Sequence, residues 1–148
     1  RNNKNFNCLK FRSMKKNKNS DVHQATRNDK RITFIGKIIR RTSLDEFPQF
    51  INVLMGNMSI VGPRPHMVKH TSDYSKIVNE YMTRHLLKPG ITGWAQIQGY
   101  RGEIIEDEQI IRRVEADLWY SENWSFWLDV KIVFLTVLHL ITSNKNVY

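Results

Sequence analysis

Asp45 and Glu46 are adjacent carboxylates at what reads as the start of an apolar helix, Ser43-Leu44-Asp45-Glu46-Phe47-Pro48-Gln49-Phe50, and Arg64 follows between prolines in Gly62-Pro63-Arg64-Pro65. A carboxylate can hold a divalent metal or attack phosphorus, and a guanidinium fork can clamp a phosphate. Neighbours on an α-helix diverge by roughly 100°. The two acids would therefore divide the work, one toward a metal and one toward phosphorus, rather than share a proton. Proline fixes its own φ and restricts the residue before it, so Arg64 is held extended as a preorganised anion clamp would be. A plainer explanation stands beside this one. Acids are favoured in a first helical turn, Ser43-x-x-Glu46 matches a capping box, and Gly-Pro-Arg-Pro can be a simple structural turn. These residues alone leave both explanations open.

Lys88-Pro89-Gly90-Ile91-Thr92-Gly93-Trp94 and Gly99-Tyr100-Arg101-Gly102-Glu103 add another arginine and glycines that permit close backbone approach. They read equally as a turn and a hairpin around a buried Trp94. His66 and His70 are spaced as on one helix face, but neither they nor His85 come with a third ligand, so no zinc pattern emerges. A single cysteine, Cys8, excludes an internal disulfide and a multi-cysteine metal site, and no partner base marks it as a nucleophile. Neither a Walker-type phosphate loop nor a Gly-x-Ser-x-Gly elbow is present, which removes nucleoside-triphosphatase and serine-hydrolase readings.

Several elements must position these groups. Asn5–Arg12 alternates as a short strand, and a polar loop follows. Arg31–Arg40 is ambiguous, with Gly36 expected to separate an extended entry from a helical turn. A helix is expected from Ser43 through Phe47, Phe50, Ile51 and Leu54 to Gly56, with Pro48 disturbing its early part. Met58–Val61 reads as a short extended piece, and Tyr74–Leu86 as a helix ended by Lys88-Pro89-Gly90. Ile91–Tyr100 is expected to be a strand or hairpin arm. Glu106–Tyr120 and Trp124–Thr142 are expected helices, the first carrying Ile110, Val114 and Leu118 on one stripe. The fold class is α+β: one mostly helical domain over residues 1–148 with a few short strands.

The bulk numbers allow a real core, with 148 residues, 41% hydrophobic and 25% charged. The net charge of +9 is concentrated: residues 1–41 hold thirteen Lys/Arg against two acids, and residues 42–148 hold ten against twelve. Such a block fits a polyanionic partner, whether nucleic acid, an anionic membrane surface or a phosphorylated substrate, although Lys15–Ser20 also reads as a solvated loop. The longest largely apolar run, Ile132–Thr142, has eleven residues, short of the roughly 20 that a spanning helix needs. The aromatic C-terminal segment suits a helix lying in a membrane interface as well as a core helix.

Taken in order, the motifs resemble the bacterial sugar transferase family, the polyprenyl-phosphate hexose-1-phosphate transferases. The resemblance is carried by Lys10-Phe11-Arg12-Ser13-Met14; by Ala25-Thr26, Asp29 and Arg31-Ile32-Thr33; by Arg41 to Gln49; and by Gly56 to Pro65. It continues through Lys88 to Gln96, Asn123-Trp124-Ser125 and Asp129. It implies transfer of a sugar 1-phosphate from a UDP-sugar to undecaprenyl phosphate, with release of the nucleoside monophosphate. By the same resemblance Asp45 is the nucleophile that forms a phosphoenzyme, Glu46 (with Asp45 beside it) holds Mg²⁺, and Arg64 steadies phosphate charge. Lys10, Arg12, Arg31 and Arg101 are secondary phosphate ligands.

Arg112, Arg113 and Asp117 match a charged helix of the family, without indicating which of them enters the site. Gly99–Glu103 looks like the branch that transfers glucose 1-phosphate in exopolysaccharide synthesis. The resemblance implies a monotopic, membrane-associated enzyme at the cytoplasmic face of the bacterial inner membrane. Its N-terminal membrane helix has no counterpart in these residues, so this stretch reads as an N-terminally truncated catalytic domain, soluble alone. The competing reading is a non-enzymatic basic module for anionic lipid or nucleic acid. Aromatic residues are not interleaved with the basic block, so nucleic acid is not the expected partner. The sugar and the oligomeric state stay open.

Overall fold

The computed structural model describes residues 5–15, 29–66, 81–100 and 107–142. Thr33 opens the first helix: its hydroxyl accepts from the Gly36 N–H at 2.9 Å, and α1 runs Phe34–Arg41. Gly36 thus lies inside a helix and not at the boundary expected from sequence. Close packing explains its presence, because a Cβ at Gly36 would sit 1.9 Å from the Ser13 carbonyl oxygen. The same carbonyl accepts from Thr33 N at 3.1 Å, fixing the segment before the helix across its start.

The single helix expected from Ser43 is two pieces. Ser43 has φ 55°, in the left-handed region, and its side chain makes no capping bond. Leu44–Glu46 is a 3₁₀ turn, and α2 covers only Gln49–Leu54, with Pro48 at its N-cap. Pro48 has no N–H to return to the Leu44 carbonyl, so α-register cannot run through it. Phe47 N takes that carbonyl instead at 3.1 Å, in 3₁₀ fashion. The capping-box reading of Ser43 and Glu46 is therefore corrected.

Two strands, β1 (Ser59–Val61) and β2 (Gly90–Thr92), pair in parallel with Ser59 opposite Gly90 and Val61 opposite Thr92. The strand expected over Ile91–Tyr100 is thus shorter and is no hairpin arm. After Gly93 the chain turns into a short helix, α3 (Trp94–Ile97), which buries Ala95. At Gly90 only glycine fits, since an added Cβ would meet the Gly62 nitrogen at 2.1 Å. Tyr81–Leu86 is a 3₁₀ segment where a helix was expected, and residues 74–80 of that expectation lie outside the described residues.

α4 (Asp107–Glu122) and α5 (Phe126–Thr142) form as the periodicity predicts. Ile110 and Val114 pack with Tyr81 in one core cluster, Leu118 lying against it. Val61, Tyr120 and Ile132 form a second cluster. Only Ile132 of α5 is buried, and Phe126, Trp127, Phe134 and Ile141 are exposed. No helix among the described residues is long and apolar enough to cross a membrane.

Asn5–Arg12, expected as a strand, forms no ladder. Its backbone is tied individually, Leu9 N to the Asn52 side chain and Phe11 N to the Asp45 carbonyl, each at 2.9 Å. Beyond it Met14 makes a bridge, antiparallel to Ile32.

Candidate active site

The proline-broken turn places Asp45 and Glu46 differently. Asp45 is half-buried, and its main-chain carbonyl is pinned by Phe11 N. Glu46 points inward and is 7% exposed. A buried carboxylate needs compensation, and it receives two cations. Lys10 Nζ donates to Oε1 at 3.0 Å and Arg64 Nη2 to the same oxygen at 2.7 Å, with Arg64 Nη1 3.4 Å from Oε2. Three sequence-predicted site residues from separate stretches therefore meet at one carboxylate.

Each partner is carried by its own framework. Lys10 is brought in by the segment that Asn52 holds: Asn52 Oδ1 accepts from Leu9 N, and its Nδ2 donates to the Asn7 carbonyl, both at 2.9 Å. Asn52 is fully buried in α2. Arg64 leaves the end of β1, where Gly62 N donates to the Thr92 carbonyl and Gly90 N to the Pro63 carbonyl, each at 2.9 Å. Thus the Gly-Pro-Arg-Pro and Lys-Pro-Gly-Ile-Thr-Gly motifs are two sides of one parallel backbone clasp.

The remaining candidates are placed elsewhere. Arg12 is exposed. Arg31 forks onto Asp29, Nη2 to Oδ2 at 2.6 Å, and that hydrogen bond raises its already high pKa. Arg101, His70 and the Lys16–Ser20 stretch lie outside the described residues. Cys8 is exposed as a residue, yet crowding around its sulfur desolvates the thiol and raises its pKa. The neighbouring Lys10 and Arg64 pull that pKa back down, and Glu46 adds to the rise. A protonated thiol is a poor nucleophile.

On α4, Arg112 points outward and pairs with Glu108 at 2.6 Å, whereas Arg113 and Asp117 are buried. Arg113 Nη1 reaches His66 Nε2 at 3.3 Å, and His66 Nδ1 lies 2.7 Å from the Tyr81 hydroxyl. Sequence reasoning missed Asn52 and the Tyr81–His66–Arg113 string. For Asn52 the signal was present, an amide among the apolar residues Phe50, Ile51, Val53 and Leu54 of a short helix. His66 stood out only as a possible metal ligand beside His70, and nothing local linked it to Tyr81 or Arg113.

Among the described residues no group of three His, Cys, Asp or Glu converges as a metal cage. Mg²⁺ does not require one: it commonly takes one or two protein carboxylates and completes its shell with substrate phosphates and water. Asp45 and Glu46 are carboxylates of that kind, Glu46 being engaged here by Lys10 and Arg64.

The bacterial sugar transferase family model matches residues 1–143. A protein of Escherichia coli (strain K12) named UDP-glucose:undecaprenyl-phosphate glucose-1-phosphate transferase is 59% identical over 140 residues, 94% of this chain and 30% of the relative. A protein of the same name from Xanthomonas campestris pv. campestris is 50% identical over 145 residues, 97% of this chain and 30% of the relative. An Aeromonas hydrophila protein named UDP-N-acetylgalactosamine-undecaprenyl-phosphate N-acetylgalactosaminephosphotransferase is 43% identical over 143 residues, 95% of this chain and 33% of the relative. The chain thus spans about a third of the length of these relatives. With the model matched across nearly all of its residues, the chain belongs to the bacterial sugar transferase family.

Proposed function

We propose that this chain is the catalytic region of a phosphoglycosyl transferase that moves a sugar 1-phosphate from a UDP-sugar to undecaprenyl phosphate at an anionic membrane face. The names of the relatives favour glucose 1-phosphate as the group transferred. One observation carries the reading: Glu46, buried beside Asp45, is gripped by Lys10 and Arg64. A capping role would need neither cation.

In the proposed reaction an Asp45 carboxylate oxygen attacks the phosphorus that bears the sugar. A P–O bond forms, the diphosphate bridge breaks, and UMP leaves with the bridging electron pair. An oxygen of the lipid phosphate then attacks the same phosphorus and displaces Asp45, which regains its carboxylate. Dividing one difficult displacement into two is what a covalent nucleophile contributes. Mg²⁺, held by Glu46 and Asp45, would neutralise charge developing on the phosphate oxygens. Arg64 orients and steadies the diphosphate, and Lys10 offsets the charge of Glu46 in its buried position.

Helix α1 supports the membrane-face part of the reading. Phe34, Ile35 and Ile38 are exposed beside Lys37 and Arg41, and the helix packs against the 3₁₀ turn that carries Asp45 and Glu46. Apolar side chains next to cations suit an anionic lipid surface, and a lipid-borne acceptor would then arrive close to Asp45.

The test is turnover of the full-length protein on a panel of UDP-sugars with undecaprenyl phosphate and Mg²⁺, read as UMP release. Release is expected only when all components are present, and Asp45→Asn is expected to abolish it. Normal turnover by that variant would refute the nucleophile assignment.

A further inference from the structure

We infer that His66 is a positioning residue that anchors the far end of the Arg64 loop to α4, and that Arg113 fixes its tautomer. Among the described residues the loop is attached on both sides of Arg64. Before Arg64, Gly62 and Pro63 are clasped to β2 by two backbone hydrogen bonds of 2.9 Å each. After Arg64, His66 is held from both ring nitrogens, by Tyr81 at 2.7 Å and by Arg113 at 3.3 Å. Arg64 lies between them and reaches Glu46. An arginine side chain is long and loses substantial rotamer freedom when ordered, so its aim depends on a backbone fixed on both sides.

The chemistry determines the direction of each bond. A guanidinium has only donors. His66 Nε2 must therefore accept from Arg113, which leaves the ring proton on Nδ1 to be donated to the Tyr81 oxygen. Both partners are rigidly placed: Tyr81 is fully buried against Ile110 and Val114, and Arg113 is buried on the same face of α4. The neutral Nδ1–H imidazole satisfies both contacts, and an apolar residue at this position satisfies neither. Leaving Arg113 without that acceptor, in a buried position, adds a cost beyond the lost hydrogen bond.

This inference rests on the reading of Arg64 as the group that orients the donor's phosphates, and the experiment separates the two. Full-length protein is used, with UDP binding followed by calorimetry and UMP release followed kinetically. His66→Ala is expected to lower kcat/KM for the UDP-sugar by roughly ten- to a hundredfold, the scale on which a small misplacement acts. His66→Gln places an amide oxygen near the former Nε2 position, where it can accept from Arg113, and should restore most of the loss. His66→Asn is too short to reach Arg113 and should restore little.

The deciding measurement is a double-mutant cycle with Arg64→Ala on the Kd for UDP. If His66 acts through Arg64, its substitution has no further effect once Arg64 is gone. Independent, multiplicative losses would overturn the inference, as would equal activities for the Gln and Ala variants. Should His66→Ala fail to fold, the cycle is run with His66→Asn, to which the same criteria apply. If Arg64→Ala alone leaves UDP binding and turnover intact, the reading of Arg64 fails first.

Discussion

Asn52→Ala should release the segment that carries Lys10 while leaving the rest of the fold in place. Asn52 is fully buried and spends both ends of its amide on the backbone of that segment, accepting from Leu9 N and donating to the Asn7 carbonyl at 2.9 Å each. A net hydrogen bond of this kind contributes about 1 kcal/mol, and a partly buried donor left without an acceptor costs about 1 kcal/mol more. Leu9 is half-buried and Asn7 exposed, so the second penalty applies at Leu9 and hardly at Asn7, whose carbonyl regains water. The sum is about 2–3 kcal/mol. Among the described residues, what remains to hold the segment by hydrogen bond or ion pair is the bond from Phe11 N to the Asp45 carbonyl and the pair of Lys10 with Glu46. Lys10 is 42% exposed, so that pair contributes no more than about 1 kcal/mol. Ordering each backbone residue costs about 1–2 kcal/mol. The balance turns against order for residues 7–10.

Hydrogen exchange read by mass spectrometry tests this, with peptides covering residues 5–12 against peptides from α4 as the internal reference. At tenfold for each 1.4 kcal/mol, protection at Leu9 should fall by about 30- to 140-fold and protection along α4 should hardly change. Unchanged protection at Leu9 would show that the segment is held by something other than Asn52. An equal loss along α4 would show that Asn52 supports the whole fold and not this one attachment.

Three further outcomes are expected. Gly90→Ala, whose Cβ would press on the Gly62 nitrogen at 2.1 Å, should separate the clasp under Arg64; a loss of about 2–4 kcal/mol in chemical denaturation is expected, and a loss below about 0.5 kcal/mol would show that the clasp is pliable. Arg112→Ala removes an exposed pair with Glu108 and should change stability by less than about 0.5 kcal/mol with turnover unaffected, whereas Arg113→Ala, at a buried position, should be severely impaired on both measures. The Tyr120 phenol donates to Asp129 at 2.7 Å, and desolvation first, then that carboxylate, push its pKa well above its ordinary value near 10. The folded state thus retains this proton where the unfolded state has lost it, so the contribution to stability is complete below about pH 10 and declines as pH rises above it; Tyr120→Phe should flatten that alkaline decline, and an unchanged decline would assign it to other groups.

How much of this was legible in the sequence follows from how each contact is made. Ile110, Val114 and the span of α4 were readable because helical packing repeats at a fixed period, which a single stretch displays. The division of the Ser43 helix was not readable from pattern: Ser43, Glu46, Phe47, Phe50 and Ile51 satisfy helical spacing. The outcome depended on a proline at one register position and on a serine adopting φ 55°. Gly36 was misread as a breaker because a glycine needed for close approach and one needed at a boundary look the same in sequence. The Ser13 carbonyl that distinguishes the two cases is distant along the chain. Glu46 and Arg64 were singled out by residue type and spacing and Lys10 by family resemblance, yet their convergence on one oxygen could not be read from spacing. It depends on Asn52 and on the pairing of Gly62 and Pro63 with β2, which are long-range backbone contacts.

That convergence makes the effects of the charged residues interdependent. Lys10 and Arg64 share Glu46 Oε1, at 3.0 and 2.7 Å, inside a pocket that keeps the carboxylate out of water. Glu46→Gln removes the anion and leaves two cations close together, one 22% and the other 42% exposed, so both can turn toward solvent. Arg64→Ala leaves the carboxylate with Lys10, while removing both cations takes both of these ion pairs from a buried charge, the most costly of these states. The single substitutions at positions 10 and 64 should therefore cost less in sum than the double substitution, whereas independent sites would add. Additive losses in thermal unfolding would show that each cation acts on Glu46 as though the other were absent, and the shared oxygen would then have no energetic meaning.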